Sequence, residues 1–199
     1  MEKAIKMAVE EGIKKSVMEH EKYRWFYTSS NKLVVGGKNA LQNEELVKNL
    51  ISSGKNYIVM HTKTPGSPFS IIESESTDEK DIEETAIFTA CFSRAWKEKK
   101  AKTLVDIFKA NQIVKKKGMK LGTFGVIGKI NSRTVELKLY LAKQKNILRA
   151  LPYNIKNAIF IIPGNINKAE IAEQIAEKLK VKFEQALQAL PTGDSKLCY

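Results

Sequence analysis

Apolar positions change their spacing several times along the chain, and each change marks an element. Over residues 2–19, Ile5, Ala8, Ile13 and Val17 fall on one stripe among charges, which predicts an N-terminal helix. Tyr23–Thr28 and Lys32–Val35 are short apolar runs around Ser29-Ser30-Asn31, the pattern of a hairpin. Asn39 reads as an N-cap with Gln42 as its capping-box partner. The helix that follows buries Leu46, Val47, Leu50 and Ile51, and Gly54 ends it. Tyr57–His61 and Pro68–Glu73 read as strands flanking a Pro-Gly turn. A third helix is expected near Asp81, with Glu84 at its capping-box position and Ile87 or Phe88, Cys91, Phe92 and Ala95 on its apolar face.

Beyond residue 102 the pattern turns β-like at Thr103–Phe108, Gly122–Ile130 and Thr134–Leu141. In the last of these, Val135, Leu137, Leu139 and Leu141 alternate with Glu136, Lys138 and Tyr140, the period of a half-buried strand. Lys156–Ile162 is a further strand with Pro163-Gly164-Asn165 as a turn. Ile171, Ile175 and Leu179 give residues 167–180 an amphipathic helical face, 183–190 form a last short helix, and the tail from Pro191 is expected to be loose. The sum is an α+β fold: a mostly antiparallel sheet with flanking helices and a C-terminal strand–helix extension.

Composition narrows the classes. An apolar content of 43% suits a globular core. No apolar run approaches the ~20 residues of a membrane-spanning helix, and the first residues lack a signal peptide's apolar stretch. Two cysteines make no disulfide framework, so the expected setting is cytoplasmic. Two histidines, His20 and His61, exclude a His-rich metal site, though not a carboxylate site for magnesium. We expect no metal and no cofactor.

Charge changes the picture more. The chain carries 34 Lys and Arg against 22 Asp and Glu, a net +12. Residues 94–120 hold ten of those cations and two acids, whereas residues 73–84 hold seven acids and one Lys. Such a lopsided chain attracts polyanions, of which nucleic acid is the commonest.

Three segments carry candidate chemistry. At Gly36-Gly37-Lys38-Asn39 a strand runs into a helix start, where free amides, a partial positive charge and the Lys38 ammonium suit a phosphate; the alternative is a tight turn whose glycines take positive φ. His61-Thr62-Lys63-Thr64-Pro65-Gly66-Ser67 places a His, a Lys and hydroxyls on one loop, able to meet a phosphate or base; the alternative is a purely structural loop. Lys115, Lys116 and Lys117, with Arg94 and Lys97 earlier, form either a phosphate-binding face or a solvated charge run. The glycines of residues 118–128 do not make a P-loop, because Thr123 and Ile130 occupy the places that need Gly and Ser or Thr. Among Trp25, Phe26, Trp96 and Phe124, Trp25 is the candidate for stacking on a base. No paired nucleophile and base, CxxC, HExxH or dinucleotide fingerprint occurs.

Four blocks in order, KYRWFYTSSNKLVVGGKNALQNEELV, YIVMHTKTPGSPFSII, EETAIFTACFSRAWK and NQIVKKKGMKLGTFGVIGKIN, resemble the NFACT-R domain. The resemblance covers about residues 21–131 and divides the chain into an N-terminal helix (1–20), an NFACT-R-like core (21–131) and a β/α extension of the same unit (132–199). It implies a relationship to the RNA-binding portion of ribosome quality-control factors that engage the large subunit and tRNA. Those factors also carry an NFACT-N domain, a helix-hairpin-helix element and a coiled coil, so this chain reads as a standalone form. By resemblance, Gly36, Gly37, Lys38, Asn39, Asn43, His61, Lys63, Gly66, Ser67, Arg94 and Lys115 fall on signature positions.

The resulting expectation is a non-catalytic RNA-binding protein that engages tRNA or ribosomal RNA in translation or ribosome quality control, without membrane insertion. Its site comprises Gly36, Gly37, Lys38, Asn39, Asn43, His61, Lys63, Ser67, Arg94, Lys97, Lys115, Lys116 and Lys117, with no catalytic residue. DNA remains an open partner. The alternatives are an RNA-processing or RNA-modifying enzyme using the His61 loop, and an adaptor that docks a protein partner through the N-terminal helix and the 73–84 acids.

Overall fold

Consecutive residues of a strand point to opposite faces, so a strand covered on both sides reads as a continuous apolar run rather than an alternation. That is the situation at the centre of this protein. The computed structural model describes residues 20–198, and the helix expected over 2–19 lies outside the described residues. Six strands form one antiparallel sheet: β1 (Arg24–Tyr27), β2 (Leu33–Gly36), β3 (Ile58–Thr62), β4 (Ser70–Ile72), β5 (Lys102–Lys109) and β8 (Asn131–Glu136), in the order β1-β2-β4-β3-β5-β8. Trp25, Val35, Ile71, Val59 and Phe108 line up across one face and pack with Leu46, Val47 and Leu50 of helix α1 (Ala40–Ser52). Their neighbours Phe26, Val34, Ile72 and Met60 face the other way, toward Ile87 and Phe88 of α2 (Glu79–Cys91). Ile51, expected on the buried face of α1, is instead exposed, because it lies beyond the edge of the stripe that meets the sheet.

The α2 layer continues into a second antiparallel sheet, ordered β10-β9-β11-β12, of β9 (Leu139–Gln144), β10 (Ile147–Leu151), β11 (Ile159–Ile166) and β12 (Ser195–Cys198). Helices α4 (Lys168–Leu179) and α5 (Phe183–Ala189) pack beside it, with Ile171 and Ile175 fully buried. Between α2 and β5 lies a single helical turn, α3 (Arg94–Lys97). A small ribbon of β6 (Ile113–Val114) and β7 (Gly125–Val126) closes the arrangement on the α1 side. The architecture is the α+β class expected, with antiparallel pairing throughout.

Several boundaries differ from the sequence reading, each for a local reason. The strand expected over Thr134–Leu141 is two strands, β8 in the first sheet and β9 in the second. Val135, Leu137, Leu139 and Leu141 are all buried as expected, but the period of two runs straight through the change of partner. The strand expected over Gly122–Ile130 shrinks to β7, since Gly122 and Gly128 hold φ of 71° and 79°, which no strand accepts. Pro163-Gly164-Asn165 is a bulge inside β11 rather than a turn, and the tail expected to be loose pairs with it as β12. Helix α2 is capped by Asp78 with Asp81 as the box partner, three residues earlier than expected. Glu84 instead accepts the Ser29 amide at 2.7 Å.

Candidate nucleic-acid interface

Gly36 and Gly37 both have ordinary negative or extended φ, so the positive-φ reading of this turn does not hold. Their smallness serves close approach. A Cβ on Gly37 would overlap the side-chain oxygen of Asn43, and one on Gly36 would press at 3.3 Å on Pro68 and Ser70. Asn43 is buried because it bridges two elements. Its Oδ1 accepts the Phe69 amide at 3.1 Å and its Nδ2 donates to Ser67 O at 3.4 Å. The helix start and the His61 loop are thereby locked side by side. Asn39 Oδ1 accepts the Gln42 amide, and Gln42 Oε1 accepts the Lys38 amide, each at 2.9 Å. The Asn39 side chain is therefore a cap, and the first amides of α1, at Ala40 and Leu41, have no hydrogen-bond partner among the described residues.

The His61 loop is tied down by its own polar groups. Thr62 donates its amide to Ser67 Oγ at 2.9 Å, and that hydroxyl donates to Pro68 O at 3.1 Å, so the Ser67 hydroxyl is already committed within the loop. His61 Nδ1 donates to Thr62 O at 2.7 Å, and the ring stacks at a tilt on Phe69, 4.6 Å between centres. Burial pushes the imidazole pKa below its usual value, so it is neutral at pH 7, with Nε2 an acceptor. Gly66 (φ 114°) lets the loop turn against Arg94, whose amide donates to Gly66 O at 2.8 Å. Ser93 caps that turn of helix, and Trp96 beneath it is fully buried.

Together these pieces line a cleft of about 670 Å³. Its walls carry Arg24, Lys38, Lys63, Arg94 and Lys97, none in an ion pair among the described residues, against a single carboxylate, Asp106. Phe69, Phe108 and Phe124 are largely buried beneath them. Of the residues singled out from sequence, Gly37, Lys38, Asn39, Asn43, His61, Lys63, Ser67, Arg94 and Lys97 meet here. Gly36 lies behind the wall. Lys115 is not a cleft cation. Its ammonium is 2.7 Å from Glu44 Oε2 and donates to the carbonyls of Lys120 and Thr123, both at 2.9 Å. Lys116 and Lys117 are exposed and lie outside the cleft lining. Trp25 is buried, as are Phe26, Trp96 and Phe124, so none offers a free face for stacking.

Two participants were not legible beforehand. Arg24 sits on β1 inside an aromatic run, and only the strand register turns it toward the cleft. Glu44 reads as one more acid on a helix surface. In the fold it holds Lys115, Lys48 and the Gly122 amide, and the Lys115 bond first of all draws its pKa down to about 2. That knot folds residues 120–124 against α1, where a Cβ on Gly122 would strike the Ala40 backbone. The same segment forms the second wall of the cleft.

Residues 22–128, more than half of the chain, match the family model described as NFACT protein RNA binding domain. The chain belongs to that family. The archaeal Rqc2 homolog aRqcH of Methanocaldococcus jannaschii is 27% identical over 212 aligned residues, covering 96% of this chain and 31% of that protein. The human ribosome quality control complex subunit NEMF is 32% identical over 79 residues, 38% of this chain and 7% of that one. The chain thus spans less than a third of the archaeal relative. Among solved structures, the C-terminal part of the Streptococcus suis fibronectin/fibrinogen-binding protein matches with a TM-score of 0.51 at 23% identity, over 58% of this chain and 45% of that one. At that identity the likeness speaks for the fold alone. In this NFACT-R chain the family match ends before β8, so the second sheet lies outside it. No described helix is long and apolar enough to cross a membrane.

Proposed function

We propose that this NFACT-R chain binds RNA through the cleft between the α1 start, the His61 loop and α3, without chemistry on it, and that tRNA or ribosomal RNA is the target. The observation that carries the reading is the set of five cations on one cleft with one carboxylate among them. Lys63, Arg94 and Lys97 are exposed, and exposed cations cost little when left alone, because two charges 4 Å apart in water interact by only about 1 kcal/mol. No ion pair holds them among the described residues, and they line the same cleft as the start of α1. Phosphates satisfy both kinds of donor. The relatives named as ribosome quality-control proteins support a role in that process.

The imidazole of His61 bonds to a backbone carbonyl rather than to a carboxylate, which favours positioning over catalysis. Two acids of 73–84 are committed inside the fold, Asp81 to Thr28 and Ser30 and Glu84 to Ser29, and Glu79 pairs with Arg133 at the surface, which weakens the adaptor reading.

Anisotropy titrations of tRNA, an unstructured RNA and a DNA of the same sequence, each across a salt series, test the proposal. Binding should weaken steeply with salt for wild type and less steeply for Lys63→Met/Arg94→Met, by about 0.7 log units per log unit of salt for each lost contact to a single strand. Salt-independent binding, or an unchanged slope in the double variant, would sink it. Equal affinity for the DNA would remove the restriction to RNA.

A further inference from the structure

Arg149 belongs to β10, outside residues 22–128, yet its guanidinium lies 3.8 Å from the ring centre of Trp25 on β1. Beside it is a second cavity of about 230 Å³, lined by Arg24, Lys38 and Arg149, with Glu21 the one carboxylate among the described residues that line it. Arg24 and Lys38 also line the main cleft, so the two cavities share a wall.

The three cations are under-satisfied. None makes an ion pair among the described residues. Arg24 packs its guanidinium 4.4 Å from the centre of the Phe92 ring. Arg149 donates one long bond, 3.3 Å, to Leu148 O, and its Nε is buried without a partner among the described residues, as is the indole N–H of Trp25. Burial pushes both arginines down to about 10, and Glu21 only partly offsets this at Arg149. Lys38 is lowered by burial and then by the fields of Arg24 and Arg149, and the Arg24 field also reaches Lys168 at the start of α4. Both arginines remain charged at neutral pH. A buried cation with an open donor is unfavourable, and partly buried charges interact several times more strongly than exposed ones. An anion held among the three would relieve their mutual repulsion. Guanidinium forks flanking an ammonium suit the oxygens of a phosphate.

We propose that Arg24, Lys38 and Arg149 form a second phosphate-binding site, which holds a backbone phosphate of the same RNA strand that occupies the main cleft. The strand then crosses the shared wall, and the second sheet contributes directly to the interface through Arg149. The RNA part of this statement rests on the proposed function; the phosphate chemistry does not, and a free phosphate would find the same donors.

The test uses the full chain, labelled with ¹⁵N, and two probes. Inorganic phosphate is titrated while the Trp25 indole N–H resonance is followed, and an unstructured RNA is bound across a salt series. Both are repeated with Arg149→Met, which keeps the stem over Trp25, and with Arg149→Lys, which keeps the charge. We expect phosphate to shift the indole signal in wild type and not in Arg149→Met. The salt slope should fall by about 0.7 in Arg149→Met and hold in Arg149→Lys. An Arg149→Met chain that melts like wild type and keeps its full RNA slope overturns the proposal, and a persisting phosphate response would then leave only a free-phosphate site. If wild type binds no RNA, the reading of the main cleft fails. The indole response to phosphate then decides this site by itself: its absence overturns the site, its presence supports it.

Discussion

Lys115 Nζ lies 2.7 Å from Glu44 Oε2, and through that contact the loop over 115–124 is held against the first turns of α1. A lysine that reads as part of a phosphate-binding run is thus a strut of the cleft wall. Neutralising Lys115 leaves the buried Glu44 carboxylate without its main partner, and neutralising Glu44 frees the Lys115 side chain and releases the Gly122 amide. Glu44→Gln and Lys115→Met should each speed hydrogen exchange at the Gly122 amide. The double variant should lose less than the two singles added together. Strict additivity in that cycle would mean the contact carries no coupling.

The same carboxylate makes stability depend on acid. Its folded pKa of about 2 lies below the ordinary 4.5, so its contribution is present above 4.5 and fades as pH falls toward 2. Urea midpoints measured from pH 7 down to pH 2.5 should drop more for wild type than for Glu44→Gln. Parallel curves would contradict the assignment.

Gly37 is fixed by Asn43 rather than by its backbone angles. Gly37→Ala should cost about 1–3 kcal/mol, the usual range for overpacking, in equilibrium unfolding. It should also loosen the His61 loop, because the displaced side chain bonds to Ser67 and Phe69. Wild-type stability would show that Asn43 moves away freely.

Trp96 ties α3 to the C-terminal strand. Its indole Nε1 donates to Asp194 O and Ser195 Oγ, both at 3.2 Å. Trp96→Phe keeps most of the volume and removes the donor, at a cost of about 1–3 kcal/mol for the acceptors left behind. Limited proteolysis should then cut first near residues 191–198. Cleavage at wild-type rates would place the anchor elsewhere.

Lys116 and Lys117 offer a contrast with the cleft. They carry the same charge as Lys63 and Arg94 but project outside the lining. Lys116→Met/Lys117→Met should change the salt slope of RNA binding less than Lys63→Met/Arg94→Met does, in the same titration. An equal or larger loss would move the interface toward residues 115–117.

The amino-acid order alone determined the local elements whose signals are local. The Asn39 cap, the hairpin at Ser29–Asn31, the amphipathic face of Ile171 and Ile175 and the alternation from Val135 to Leu141 depend on neighbours within a few residues, and all appear. The motif blocks likewise fixed which residues border the cleft from the β2–α1 turn, the β3–β4 loop and α3. Tertiary structure decided everything that depends on distant partners. Leu137 and Leu139 keep one period of two while the chain changes sheets, since side-chain alternation is blind to which strand lies alongside. The tail becomes β12 only because β11 presents an edge to it. Above all, charge in a sequence has no direction: Lys115 meets Glu44, Arg24 and Arg149 form no ion pair among the described residues, and only the folded chain sorts a cation that holds the wall from one without such a partner.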